Sequence, residues 1–336
     1  MKGVVVLLVF LFSLSACGLS AEETSPDQIV SFPDPNFEAR LRTYIDKPEG
    51  PIYIKDLEKL TLLNANDFEI SDLRGIEHCR NLKKLFIYDN NISDISPLAS
   101  LTRLVYLYLQ QNNISDISAL KHMANLTYLD LHSNQISDIT PLSSLANLKF
   151  LELENNQIDD LPPLSLLNNL HSLYLGENSL TDISPLASLN NLITLDLRGN
   201  QITNITPLAS LSKLKILHLE NNQISDISSL SSLENIQALD LAENQIIDIS
   251  SLSSLKKIQQ LDLGENGIVD VSPLVDLSLL ADLDLSDNYI VNIRPLTMND
   301  SFSYYTRINL KNNPLSDESL NIYIPQLKEK GVNLIY

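Results

Sequence analysis

Leu170-His171-Ser172-Leu173-Tyr174-Leu175-Gly176-Glu177-Asn178-Ser179-Leu180-Thr181-Asp182-Ile183-Ser184-Pro185-Leu186-Ala187-Ser188-Leu189-Asn190-Asn191 is the stretch on which the fold turns. Apolar residues hold positions 1, 4, 6, 11, 14, 17 and 20 of this 22-residue unit. No helical or strand period fits the whole of it; only Leu173-Tyr174-Leu175 alternates as a short strand does. Nine such units begin at Leu82, Leu104, Leu126, Leu148, Leu170, Leu192, Leu214, Ile236 and Ile258, with no insertion or deletion. A tenth, from Leu280, is stretched to 25 residues around 301–304. A partial unit follows from Tyr305 and a degenerate one precedes from Leu60, twelve coils in all.

One unit cannot fold alone. Burying each inward side chain gains about 1.5–3 kcal/mol, and ordering the backbone of the unit costs about as much or more. Stacked on neighbours, the same residues form a continuous core, so the array reads as a solenoid. Its strands then lie side by side about 4.8 Å apart in one parallel sheet, and twelve coils span about 50 Å. The Asn at position 9, Asn178 here and its equivalents from Asn90 to Asn313, follows the strand where backbone groups lack partners inside the coil. An amide can both donate and accept there, which makes the Asn ladder structural. Pro at position 16, as in Pro185, fixes φ on the return side and bars a long helix, so short turns are expected on the outer face.

The charge narrows the partners. Lys+Arg number 23 against 42 Asp+Glu, for a formal net charge of −19, with nine Gly and no Trp. Such a chain lacks the basic face that phosphate backbones require, which excludes nucleic acid, and anionic headgroups repel it. A cationic partner, or simply solubility, suits it better. Cys79 falls where most coils carry Leu and reads as a buried free thiol acting as a small hydrophobe.

The amino terminus reads as an address. Lys2 precedes the apolar run 4–14, too short to span a bilayer and typical of a signal peptide. Leu14-Ser15-Ala16-Cys17 follows directly and resembles the bacterial lipobox. That resemblance implies cleavage before Cys17, diacylglyceryl attachment to it and an acylated amino terminus, and two or three chains make a stable anchor. The expected division is a signal peptide at 1–16, the lipidated Cys17 with a polar tether to 31, and a cap at 32–59. Repeats follow at 60–304, and a last partial repeat with its cap at 305–336. The mature chain would be lipid-anchored to the bacterial cell membrane or outer membrane and face away from the cytoplasm, with the anchor its sole membrane contact.

The unit ending N-x-I-x-D-I-x-P-L-x-x-L resembles the SDS22-like class of leucine-rich repeats, and most closely the internalins of Gram-positive bacteria, over residues 32–336. The resemblance implies an α/β solenoid, a right-handed superhelix of about twelve 22-residue coils with a parallel concave sheet and helical caps. Phe32-Pro33-Asp34-Pro35, Asp56-Leu57, Leu60-Thr61 and Gly75-Ile76-Glu77 resemble the internalin N-terminal cap. Phe37, Leu41 and Ile45 recur at helical spacing and can cover the first open end of the core. At the other end Leu320, Ile324 and Leu327 mark a helical cap that Pro325 should break or restart, before Gly331 and a last strand at 332–336. The internalin resemblance lacks an immunoglobulin-like domain and a Leu-Pro-x-Thr-Gly sorting signal, so lipidation is expected to take the place of sorting.

Positions 3, 5 and 7 of each strand point away from the core onto the inner face. The N-terminal half gathers Phe86, Tyr88, Tyr106, Tyr108, Tyr128, Phe150 and Tyr174 there. Clustered aromatics on a solvated face are the usual mark of a binding surface, and the C-terminal strands lack them. The C-terminal half instead carries an acidic column, Asp196, Asp240, Asp262 and Asp284, interrupted by His218. Carboxylates this close repel, so a basic segment or Ca²⁺ would suit them, although a solvated face explains them as well. The five His fall in different coils without ligand spacing, so neither a metal site nor a cofactor is expected. Asp130, Glu152, Glu154 and His132 lie close on the sheet, yet an open face offers carboxylates little desolvation with which to tune a pKa, which argues against a hydrolase.

These readings converge on a monomeric, non-enzymatic protein that binds a protein ligand of basic character through its concave face. Two alternatives stand beside it. One is an envelope lipoprotein contacting glycan or acting structurally; the other is an SDS22-like phosphatase regulatory subunit, which the export signal disfavours.

Overall fold

The computed structural model describes residues 25–336, so the signal peptide and Cys17 lie outside the described residues. Each coil opens with a three-residue strand centred on position 4. Thirteen of these form one sheet in strict chain order, from Leu62–Asn64 to Asn333–Ile335. All pairings in this sheet are parallel and match leucine to leucine, as Leu173 with Leu195 and Leu195 with Leu217, except where Ile308 takes the central place. The 22-residue period, unbroken up to Leu283, produces this register, because equal coils place equal atoms one strand spacing apart. In the quoted coil Leu170, Leu173, Leu175, Leu180, Ile183, Leu186 and Leu189 are all buried. Cys79 is buried and free in the same column.

Polar ladders tie the coils together. Asn178 Nδ2 donates to the carbonyls of Leu175 and Gly176 in its own coil and of Leu153 in the preceding one, at 3.0–3.1 Å. Its Oδ1 accepts from the N–H of Ile158 at 3.0 Å. The same pattern recurs from Asn90 to Asn313. Two further ladders escaped the sequence reading. Ser188 Oγ donates to the Ser165 carbonyl and Asn191 Nδ2 to the Asn168 carbonyl, each one coil back.

The outer face is thin, and the same short turn forms with Pro185 or, at the equivalent place, with Ser229 or Ser251, so proline favours it without being required. Asp182 Oδ1 accepts from the N–H of Ser184, which starts the 3₁₀ turn Ser184–Ser188 with Pro185 as its second residue. Position 8 is left-handed in coil after coil, with φ 52° at Glu177, 54° at Gln111 and 62° at Gly199. The strand's end must turn inward within one residue there, and the sequence supplies glycine at this position only at Gly199.

Both ends are capped. Helix Pro35–Ile45 buries Phe37 and Leu41 over the first coil. Asp34 joins the two: its Oδ1 accepts from the N–H groups of Asn36 and Phe37, and its Oδ2 from those of Ser71 and Asp72. Burial would raise this carboxyl, but the hydrogen bonds from Ser71, Phe37 and Asp72 outweigh it and hold it below the usual value. Ile29–Val30 pair antiparallel with Ile52–Tyr53, so ordered cap structure begins inside the stretch read as tether.

At the far end Ser319–Tyr323 form a wide π turn and the helix restarts at Ile324–Glu329, with Pro325 in its first turn. This π turn shifts the helical face. Ser319 is fully buried and bonded to Val291, whereas Leu320, expected inside, is exposed. In the stretched coil Phe302 takes the inward place, and Tyr305, which opens the next unit by count, is exposed.

Candidate functional site

Alternation along each strand sends positions 3, 5 and 7 to the solvent side of the sheet. In the N-terminal half their rings meet. Phe86 and Tyr108 stack with centroids 4.6 Å apart, Tyr108 and Tyr128 at 4.5 Å, and Tyr128 and Phe150 at 4.2 Å with planes 7° apart. Tyr174 continues the row 5.3 Å from Phe150. Four rings from four adjacent strands thus stack, and a fifth, tilted by 44°, extends the row, because strand spacing nearly equals aromatic stacking distance. Tyr106 flanks the stack 6.3 Å from Tyr128, beneath the Lys84 ammonium. Tyr88, half-buried, belongs to none of these pairs. Burial first, and then the Glu152 carboxylate, push the Tyr128 phenol well above its ordinary value; burial lifts Tyr108 and Tyr174 as well. All three hydroxyls therefore stay protonated.

The middle of the face is charged but internally paired. His132 Nδ1 lies 2.9 Å from Asp130 Oδ1 and 3.2 Å from Glu152 Oε2. Hydrogen bonds to Asp130 and then Glu152 push its pKa up to about 10, so the ring is an imidazolium at neutral pH and no general base. Arg198 reaches across two coils to Glu154 at 2.6 Å and lies 3.4 Å from Asp196.

The acidic column divides. Asp196, expected on the surface, is 2 % exposed and held by Arg198, so it leaves the column. Each aspartate at position 5 also has a backbone duty that the sequence reading missed. Its Oδ1 accepts from the N–H two residues on: Asp196 from Arg198, Asp240 from Ala242, Asp262 from Gly264, Asp284 from Ser286. That N–H has no carbonyl partner among the described residues, and a short carboxylate at this spacing satisfies it. Asp284 further accepts from Asn309. Asp240 and Asp262 line an open hollow of about 230 Å³ with His218, Asp282, Asp284 and Arg307.

The face desolvates its carboxylates more than an open sheet suggests. Burial, with Asp240 adding to it, pushes Glu220 up to about 7; burial, with Asp240 and Asp284 adding, pushes Asp262 up to about 6. Neighbouring side chains on adjacent strands, not depth, remove the water. Histidine falls among carboxylates twice: in the expected cluster, at Asp130, His132 and Glu152, and in one that was not expected, at His218, Glu220 and Asp240, each with ligand atoms within 4.8 Å of one another. Both sets occupy positions 5 and 7 of one coil and position 5 of the next. The signal lay in the columns, read across coils instead of along the chain.

Family models for leucine-rich repeats match in overlapping pairs from residues 80–122 to 234–276. An internalin (inlF) of Listeria monocytogenes is 32% identical, with a TM-score of 0.78, covering 94% of this chain and 98% of that one. Internalin C2 of the same organism is 39% identical over 62% of this chain and 93% of its own, with a TM-score of 0.60. A plant peptide hormone receptor, RGFR1, solved in complex with RGF2, shares the fold at 21% identity and a TM-score of 0.66, over 77% of this chain and 44% of that one. No curated protein sequence matches significantly. The chain belongs to the leucine-rich-repeat proteins, and within them to the internalin-like bacterial group.

Proposed function

We propose that this chain is an extracytoplasmic, lipid-anchored recognition protein that binds a protein partner through the aromatic half of its sheet and catalyses nothing. The row from Phe86 to Tyr174 carries the reading. Rings on a rigid parallel sheet are already ordered, so a partner that covers them gains apolar contact at little further entropic cost. The protonated phenols add fixed hydrogen-bond donors along the same line.

Ring geometry favours protein over glycan. Sugars stack on free ring faces, and here the inner faces are occupied by neighbouring rings at 4.2–4.6 Å. What the row offers is a ribbon of ring edges and hydroxyls, which suits peptide groups and side chains. Anchoring through Cys17 would hold that ribbon near the membrane on a short polar tether.

The test replaces Tyr106, Tyr108 and Tyr128 together with Ser and compares capture of envelope proteins and of glycans by the two chains. Protein capture should fall at least tenfold, while the folded circular-dichroism spectrum persists. The lost stacking should lower the melt modestly, since each ring pair contributes about 0.5–1.5 kcal/mol. Unchanged protein capture would sink the assignment, and glycan capture lost in its place would transfer the site to sugars.

A further inference from the structure

We infer that His218, Glu220 and Asp240 form a binding site for one divalent first-row transition-metal ion of the zinc class. The donor set is one imidazole nitrogen and two carboxylates, with ligand atoms from all three within 4.8 Å of one another. A mixed nitrogen and oxygen set suits zinc and its neighbours, whereas Ca²⁺ and Mg²⁺ prefer oxygen alone.

The second triad of the molecule, Asp130, His132 and Glu152, acts as an internal control, because it occupies the same three repeat positions four coils earlier. There the histidine stands at position 7 between the carboxylates and touches both, at 2.9 and 3.2 Å. A proton on the ring does the work of a cation, and the cluster is closed. In the later triad the order is exchanged: His218 stands at position 5 and Glu220 at position 7. His218 Nδ1 is 3.9 Å from Glu220 Oε2, beyond hydrogen-bonding distance. Donors around a tetrahedral zinc at about 2.1 Å sit about 3.4 Å from one another, so this pair is spaced for a shared ion rather than a shared proton.

A second observation points the same way. Glu220 Oε2 is itself screened from solvent, although the side chain is 23% exposed, and it has no hydrogen-bond partner among the described residues. The neighbouring cation is committed elsewhere, since Arg198 is held by Glu154 and Asp196. A buried carboxylate oxygen without a donor is costly and calls for a cation. The surroundings leave room for one: His218 and Asp240 open onto the hollow, whose wall includes Ala238, and Ala242 stands at position 7 of the next coil. Three protein donors with one side open leave a position for water or for a donor from another molecule.

The experiment strips the full-length chain with EDTA and titrates it by calorimetry with ZnCl₂, and separately with MnCl₂ and CaCl₂. The expected result is one zinc per chain, binding weakened at least tenfold in His218→Asn and in Glu220→Gln, and unchanged in His132→Asn. Co²⁺ in place of zinc should give a visible d–d absorption band that His218→Asn abolishes. Both variants alter solvent-side residues, and their circular-dichroism melts identify any that misfold; Asp240→Asn then serves as the second test of the site. The inference is overturned by zinc binding that survives His218→Asn, by loss confined to His132→Asn, or by a response to Ca²⁺ alone.

Discussion

Asn178 shows how one side chain can be worth more than its size. It makes four partly buried hydrogen bonds that tie two coils together. Asn178→Ala should lower the unfolding free energy by about 1–3 kcal/mol, read from the denaturant midpoint, because it leaves partly buried backbone groups unsatisfied. An unshifted midpoint would mean the ladder is decorative. His132 gives a test of opposite character. Its folded pKa, about 10, lies above the ordinary 6.5, so its contribution is complete below pH 6.5 and is lost as pH rises through 10. The melting temperature of the wild type should therefore fall across that window relative to its value at pH 6, and His132→Gln should remove this component. Parallel pH profiles for the two proteins would refute the imidazolium. Position 8 adds a third lesson. Glu, Gln, Asn, Asp and Ser adopt φ near +54° there, so the coil's geometry overrides a preference that the sequence would otherwise signal with glycine.

Caps convert an open-ended core into a bounded one. The amino-terminal cap depends on a close approach: Gly75 has φ 105°, and a Cβ built on it would stand 2.4 Å from the Phe32 ring. Gly75→Ala should displace that ring and loosen helix Pro35–Ile45 from the first coil. Hydrogen exchange is expected to quicken over residues 25–76 and to stay slow beyond Leu104, since each coil contacts only its neighbours. Uniformly faster exchange along the solenoid would contradict this local role. The carboxy-terminal cap shows why element type resists reading. Helical spacing placed Leu320 inside, but Pro325 cannot donate an N–H, and the π turn before it rotates Ser319 inward instead. Three residues of apolar pattern cannot report a change of helical pitch.

For the molecule as a whole, charge is distributed in three zones along one face. Aromatic stacking occupies the first strands, paired ions the middle ones, and less compensated carboxylates the last, from Glu220 to Asp262. The aromatic cluster was legible, because the repeat assigns every residue a face; its stacking, which crosses from position 5 at Tyr108 to position 3 at Tyr128, was not. Nor was pairing. Arg198 meets Glu154 across 44 residues, and Asp196 disappears beneath it; no spacing rule along the chain announces either contact. The first histidine cluster was legible, since Asp130, His132 and Glu152 share neighbouring columns; the second, with His218 3.9 Å from Glu220 instead of within hydrogen-bonding distance, was not.

The period alone determined the coil, its buried columns, the parallel order of strands and the Asn ladder, since each follows from one 22-residue unit repeated without slip. Only the tertiary structure decided which carboxylates keep their charge, which ring faces remain free and which capping residues turn inward. Those outcomes depend on side-chain reach between coils and on local desolvation, and a repeat pattern specifies position without specifying either.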